Sequence, residues 1–240
     1  MDEKIKKLSE ILKSSKKIVF FGGAGVSTES GIPDFRSASG VFNMDYRYPP
    51  ETILSHTFFE NHTKEFYKFY REVMLYPDAQ PNDAHKALAE LEHQGKLLAV
   101  ITQNIDGLHQ KAGSKTVYEL HGSVHRNFCQ SCGKSYGLQY IIDNTPLPMC
   151  SCGGLIKPDV VLYEEALNSR TIDNSIYAIN QADTLIIGGT SLNVYPAAGL
   201  IDYFRGRDLV LINKSETPGD RMATLCIHDS IGKVLKEAMA

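Results

Sequence analysis

An α/β fold with a parallel sheet is predicted by three features of the sequence. Short runs at residues 17–21, 97–102, 184–187 and 209–212 are apolar along most of their length, as strands buried on both faces are. Each run ends in small or amide residues: Gly22-Gly-Ala-Gly25, Gln103-Asn104, Gly188-Gly-Thr-Ser191 and Asn213. Segments of helical character lie between them, as at residues 84–94, and strands alternating with helices pair in parallel. Ligands of such sheets sit beyond the carboxyl ends of the strands. The glycine and amide residues there mark the place for a nucleotide.

The elements follow in order. Ile5, Leu8, Ile11 and Leu12 recur at helical spacing, so residues 2–15 read as an amphipathic helix with a solvated charged face. The first strand then feeds the glycine turn. Residues 38–78 form an insertion rich in aromatics, including Phe58, Phe59, Phe66, Tyr67, Phe69 and Tyr70, and helical from about Phe58 onward. Residues 121–158 carry paired cysteines, prolines and glycines with little helical periodicity, and read as a second inserted module. Residues 1–240 are then one domain, whose Rossmann-like sheet part covers about 1–37, 79–120 and 159–240.

A net charge of −3 and a pI near 6.2 argue against nucleic-acid binding through a broad basic surface, which relies on clustered Lys and Arg. Residues 1–17 are polar and lysine-rich, unlike a signal peptide. No apolar run approaches the roughly 20 residues that cross a bilayer. The expectation is a cytoplasmic monomer with no membrane partner and no strong nucleic-acid signal.

Four of the five cysteines fall in two tight pairs, Cys129-Gln-Ser-Cys132 and Cys150-Ser-Cys152, separated by residues 133–149. Two thiolate pairs at such spacing suit a tetrahedral Zn²⁺, and a four-thiolate site is closed to water, hence structural rather than catalytic. The competing reading is unligated thiols that happen to be paired. Cys226 stands alone in an apolar context and reads as a small core residue.

Gly23-Ala-Gly25-Val-Ser-Thr28 resembles a phosphate-binding G-x-G-x-x-G turn without its third glycine. No acidic residue follows at the distance a dehydrogenase would use for a ribose. The turn runs instead into Glu29-Ser-Gly-Ile-Pro-Asp-Phe-Arg36, where Pro33 argues against a long helix.

Gly23-Ala-Gly25, Ser30-Gly-Ile-Pro-Asp-Phe-Arg36, Thr102-Gln-Asn-Ile-Asp106, Leu120-His-Gly122, the two cysteine pairs, Lys157-Pro-Asp-Val-Val161 and Gly189-Thr-Ser191 stand in the order found in sirtuins. The chain resembles that family from about Lys16 to Leu235, with almost no extensions, as in bacterial members. The resemblance implies an NAD⁺-dependent protein lysine deacetylase. Such an enzyme cleaves nicotinamide from NAD⁺, moves the acetyl group of acetyl-lysine to ADP-ribose and releases O-acetyl-ADP-ribose.

Carried over residue by residue, His121 matches the general base that deprotonates a ribose hydroxyl, work suited to a histidine titrating near neutral pH. Ala24, Thr28, Asp34, Phe35 and Arg36 match the cofactor loop. There Phe35 would shield the reactive sugar centre from water, and Arg36 would reach a phosphate. Gln103, Asn104 and Asp106 match the nicotinamide and ribose pocket; the competing reading of such residues at a strand end is turn formation. Gly189, Thr190, Ser191 and Asn213 match the ribose and adenine end, with Ile231 placed nearby by position. Cys129, Cys132, Cys150 and Cys152 match the zinc ligands.

Acetylated proteins or peptides are the implied partners. Val160, Val161 and Tyr163 match the segment that pairs with the peptide as a strand, where backbone pairing supplies affinity. Two departures from the family pattern bear on the substrate. Tyr163-Glu164 stands where many relatives have Phe-Gly. Tyr67-Lys-Phe-Tyr70 stands where relatives preferring acidic acyl groups have Tyr-x-x-Arg, and Arg71 follows one residue later, turned by about 100° on a helix. Neutral acyl groups are therefore expected to be preferred over succinyl. The competing functions are mono-ADP-ribosyl transfer from the same pocket and a non-enzymatic nucleotide-binding zinc module.

Overall fold

In the computed structural model, residues 2–38 and 40–240 are described. Asp2 caps the first helix, α1 (Glu3–Ser14), which buries Ile5, Leu8, Ile11 and Leu12. The chain then enters β1 (Ile18–Gly22), buried along its whole length. A 3₁₀ segment, Ala24–Ser30, ends at Gly31 with φ 82°, just before Pro33. Short helices α2 (Pro50–Ile53), α3 (His56–Asn61) and α4 (Thr63–Phe69) make up the insertion, and α4 runs on into a π turn, Tyr70–Met74. Asn82 and His85 form a reciprocal capping box on α5 (Asp83–His93), which leads to β2 (Leu97–Thr102), α6 (Leu108–Ala112) and β3 (Val117–Glu119).

Next come β4 (Gly122–Cys129), β5 (Ser135–Tyr136), α7 (Leu138–Asp143) and β6 (Ile156–Val160), then α8 (Ser169–Gln181). The chain ends with β7 (Thr184–Gly188), β8 (Asp208–Ile212), β9 (Leu225–Ile227) and α9 (Ile231–Met239). No helix among the described residues is long and apolar enough to cross a membrane.

The large sheet has the order β3-β2-β1-β7-β8-β9, and every pairing in it is parallel. Side chains alternate across a strand, so both of its faces need cover. In β1, Ile18 and Phe20 join the core formed with α1, α5 and α9. Val19 and Phe21 join the opposite core with α8 and residues 197–201. This double burial is what makes the strand apolar at every position. The sheet order reverses direction between β1 and β7, which opens a crevice at their carboxyl ends.

A second sheet, β5-β4-β6, is antiparallel. Its residues share one core with the aromatic insertion: Phe58, Phe59, Phe66, Tyr67, Phe69 and Tyr70 pack with Val124, Ile141, Ile156, Cys129 and Cys150. The insertion and the cysteine module are therefore two stretches of sequence but one lobe. This lobe also contains ordered secondary structure, including α7, that weak helical periodicity did not reveal.

Candidate active site

The crevice at the switch between β1 and β7 opens into a cleft of about 700 Å³ between the two lobes. Every residue assigned from the sequence to the cofactor or the peptide lines it: Ala24, Thr28, Asp34, Phe35, Arg36, Gln103, Asn104, Asp106, His121, Gly189, Thr190, Ser191, Asn213, Ile231, Val160, Val161 and Tyr163. Its floor is two glycine turns in contact. The Gly25 amide donates to the Gly189 carbonyl at 2.8 Å. A Cβ on Gly189, whose φ is +59°, would meet the Val26 nitrogen at 2.3 Å. Only glycine lets these backbones close, and the absence of side chains there leaves room for a phosphate to approach the turns.

One hydroxyl that the motif reading passed over organises the polar wall. Ser27 donates to Asp106 Oδ2 at 2.6 Å and accepts from Asn104 Nδ2 at 3.1 Å. Asp106 Oδ1 accepts the Leu108 amide at 2.9 Å. Burial raises the Asp106 pKa above the ordinary carboxylate range, against these hydrogen bonds, which favour the ionised form. The Gln103 side chain donates to Thr190 Oγ1 at 3.0 Å, tying β2 to the turn after β7.

His121 Nδ1 lies 3.0 Å from the Gln103 carbonyl. A carbonyl can only accept, so Nδ1 carries the hydrogen and Nε2 carries the lone pair. Burial lowers the pKa of this imidazole, with the Gln103 hydrogen bond acting the other way. The ring is thus held neutral and basic at one nitrogen. Gly122 beside it has φ +78°, and a Cβ there would meet the Asp159 carbonyl oxygen at 1.9 Å. Glycine at this position lets β4 start against β6 directly behind the imidazole.

The remaining residues form the rim. Asp34 Oδ1 accepts the amides of Arg36 and Ser37 at 2.9 and 2.7 Å, which shapes the loop. Phe35 packs on Phe42 with ring centroids 5.4 Å apart, and the Arg36 guanidinium lies 5.2 Å from the same Phe42 ring centre. Ile231 starts α9 and packs against Gly188 at the end of β7.

The amides of Val161, Leu162 and Tyr163 are already engaged, by the His121 carbonyl, Glu165 Oε2 and the Leu54 carbonyl. An incoming peptide strand would have to draw on other groups of this segment. Glu164 has φ 77°, the conformation glycine would relieve, and its carboxylate accepts the Thr57 amide and hydroxyl at 2.9 and 2.7 Å. Tyr67 and Tyr70 are fully buried beneath the cleft, with the Tyr67 hydroxyl donating to the Ile156 carbonyl. Val73, Met74 and Tyr76 line the wall in their place.

The four paired cysteines converge: all four sulfurs lie within 4.8 Å of one another, with Cys129–Cys152 at 3.5 Å and Cys132–Cys150 at 3.6 Å. Sulfurs on a tetrahedral Zn²⁺ at about 2.3 Å stand about 3.8 Å apart, so the set fits that ion. Tyr136 donates its hydroxyl to Cys150 Sγ at 3.0 Å, an outer contact that would fix the ligand. The fifth cysteine meets its expectation in part: Cys226 is half-buried and packs against the core that covers β7 and β8, while its thiol also meets Asp220 and His228.

A model of the Sir2 family matches residues 23–196. The chain is 63% identical over 238 residues to an NAD-dependent protein deacetylase of Clostridium acetobutylicum, covering 98% of this chain and 97% of that one. It is 62% identical over 239 residues to the NAD-dependent protein deacetylase of Clostridium perfringens, covering 98% of each. A solved Sir2 structure with deacetylated p53 peptide and 3′-O-acetyl ADP-ribose matches it with a TM-score of 0.90 at 39% identity, over 98% of this chain and 97% of that one. Another, of Sir2 with p53 peptide and NAD⁺, matches at 0.87 with 39% identity and the same coverage. Fold, cleft, thiolate cluster and sequence point one way, and the chain belongs to the Sir2 family.

Proposed function

We propose that this chain is an NAD⁺-dependent protein lysine deacetylase that moves the acetyl group of acetyl-lysine to ADP-ribose and releases nicotinamide and O-acetyl-ADP-ribose. Near-full-length relatives named as NAD-dependent protein deacetylases support the reading. The observation that carries it is His121, a buried imidazole with its proton fixed on Nδ1 and its lone pair on Nε2, in the wall of a dinucleotide-sized cleft.

NAD⁺ supplies the ribose carbon that parts from nicotinamide and the hydroxyls that receive the acyl group. The chain's own groups do the rest. His121 Nε2 takes the proton of a ribose hydroxyl. Gln103, Asn104 and Asp106 read the carboxamide and the near ribose, with Ser27 holding the last two in place. Ala24, Thr28, Asp34, Phe35 and Arg36 cover the sugar and exclude water. Gly189, Thr190, Ser191, Asn213 and Ile231 hold the far ribose and adenine. Val160, Val161 and Tyr163 border the acetyl-peptide. Cys129, Cys132, Cys150 and Cys152 hold a structural Zn²⁺. The chain acts as a single catalytic domain and a monomer, in the reducing cytoplasm where paired thiolates persist.

Mass spectrometry of products from NAD⁺ and an acetyl-lysine peptide tests the reading. O-acetyl-ADP-ribose is expected, and His121→Ala should lower turnover at least about 100-fold with zinc content and circular dichroism retained. An ADP-ribosylated acceptor without O-acetyl-ADP-ribose would make the chain a transferase instead. Binding without turnover would make it a nucleotide-binding module.

Neutral acyl groups are preferred. The wall beside the acyl chain offers Val73, Met74 and Tyr76, and the nearby Arg71 guanidinium is spent on the carbonyls of Ile141, Asn144 and Pro146. Faster turnover of succinyl- than acetyl-lysine peptide would overturn this preference.

A further inference from the structure

Outside the cleft and the four-cysteine cluster, another set of metal-ligating atoms converges at the edge of the large sheet. Cys226 sits in β9, His228 follows two residues on, and Asp220 reaches them from the 3₁₀ turn Pro218–Met222. The three ligand atoms lie within 4.8 Å of one another. Cys226 Sγ is 3.4 Å from Asp220 Oδ2 and 3.5 Å from His228 Nε2, and His228 Nε2 is 3.2 Å from Asp220 Oδ2. Thiolate, imidazole and carboxylate on one tetrahedral Zn²⁺, with Zn–S about 2.3 Å and Zn–N and Zn–O about 2.0 Å, stand roughly 3.5 Å (S···O), 3.5 Å (S···N) and 3.3 Å (N···O) apart. The observed triangle has these edges.

The outer contacts point the same way. Asp220 Oδ1 is held by the Thr217 amide and hydroxyl at 2.9 and 2.7 Å, which leaves Oδ2 for the cluster. His228 Nδ1 lies 3.2 Å from the Asn213 carbonyl, so that nitrogen carries the hydrogen. The lone pair of Nε2 then faces a carboxylate oxygen with no hydrogen of a neutral ring between them. A cation between them would engage both. A ligating histidine usually gives its other N–H to a carbonyl or carboxylate in this manner.

We propose that Asp220, Cys226 and His228 form a second metal site, separate from the four-cysteine cluster, that takes Zn²⁺ or a similar borderline divalent cation, with water as the fourth ligand. The partial exposure of all three residues gives the ion and that water a way in. Binding displaces the Cys226 thiol proton to solvent; His228 binds neutral and Asp220 ionised. The mixed S, N, O donor set suits Zn²⁺ or Co²⁺ and is too soft for Mg²⁺ or Ca²⁺. The Asn213 carbonyl that orients His228 belongs to a residue lining the cleft, so the ion would sit one hydrogen bond from it.

The test is a Zn²⁺ titration of full-length protein already carrying one zinc, against a chromogenic chelator, followed by the same titration with Co²⁺. The wild type should take a second equivalent, and the Co²⁺ form should show a thiolate charge-transfer band in the near ultraviolet. Cys226→Ser and His228→Ala should each weaken the second equivalent about tenfold or more, and Cys226→Ser should abolish the new band, with the first zinc retained. Absence of a second equivalent in folded wild type would overturn the proposal. Equal binding by Cys226→Ser would do so too, by placing the ion elsewhere. If one variant fails to fold, the other and the wild-type Co²⁺ spectrum still decide the matter.

Discussion

The two lobes facing each other across the cleft are held by different physics. In the sheet lobe, strands such as β1 are apolar on both faces and packed between helical layers. In the smaller lobe, aromatic rings stack among themselves, with Phe59–Phe66 centroids at 5.0 Å and Phe66–Tyr70 at 5.5 Å, and their core includes two of the four clustered cysteines. A Zn²⁺ on its four cysteines would cross-link this lobe and add to its stability. The larger lobe carries a liability of a different kind. His85 and His109 are buried with ring centroids 4.7 Å apart, and neither ring nitrogen of His109 has a hydrogen-bond partner among the described residues. One lobe should yield to chelation and the other to acid.

The largest effect should come from breaking the metal side. Cys132→Ser or exhaustive chelation is expected to release one zinc and lower Tm by about 10 °C or more, with early loss of the near-ultraviolet signal of the buried tyrosines. If a metal-free protein kept both its Tm and that signal, the smaller lobe would be held by its aromatics alone.

Acid should probe the other side. Burial lowers the pKa of His85 to about 4 and of His109 to about 3, where the neighbouring His85 adds to the burial effect. The unfolded chain takes up these protons near pH 6.5 and the folded chain refuses them. Stability is therefore complete above about pH 6.5 and falls as the pH drops toward those values. For the pair the loss between pH 7 and pH 5 is roughly 4 kcal/mol. His109→Leu should remove about half of it, at little cost at pH 7, because that imidazole has no hydrogen-bond partner among the described residues. Urea unfolding at the two pH values measures both quantities, and an unchanged acid slope in His109→Leu would discard this account.

The smallest effect lies on the seam. Glu164 holds a backbone shape suited to glycine while its carboxylate caps α3 of the smaller lobe. Glu164→Gly exchanges the cap for relief of strain and should leave Tm nearly unchanged. Glu164→Ala loses the cap and keeps the strain, so it should be the less stable variant. The reverse order in thermal melts would mean that the cap carries no weight.

What the sequence disclosed follows the same division. Strands buried on both faces announced themselves as apolar runs, so β1, β2, β7 and β8 were legible almost to the residue. The edge strands β3 and β9, three residues each, fell below any periodicity. Helix α8 does carry Ile172, Ile176 and Ile179 at helical spacing against the core, a signal as readable as that of α1 that the reading passed over. The cleft residues came from short motifs at strand ends, where chemistry and topology coincide. Ser27 escaped because its partner Asp106 lies 79 positions away and only the fold joins them. Tyr67 and Tyr70 keep the helical spacing the motif required, but their rings turn into the second core. Cys226 does touch a core, but alternation along the strand places it on the face opposite Leu225 and Ile227, and only partly buried.

The hydrogen bond that orients His121 comes from a main-chain carbonyl rather than from a carboxylate or hydroxyl. The imidazole is thereby insulated from side-chain exchange at its orienting position. Substitutions of Gln103 would redraw what the pocket recognises, since its amide reaches Thr190, and still present the same carbonyl to Nδ1. On the proposed function, recognition and the orienting of the base would run through different atoms of Gln103. A designer, or a mutating lineage, can therefore change what the cleft accepts and leave its base untouched.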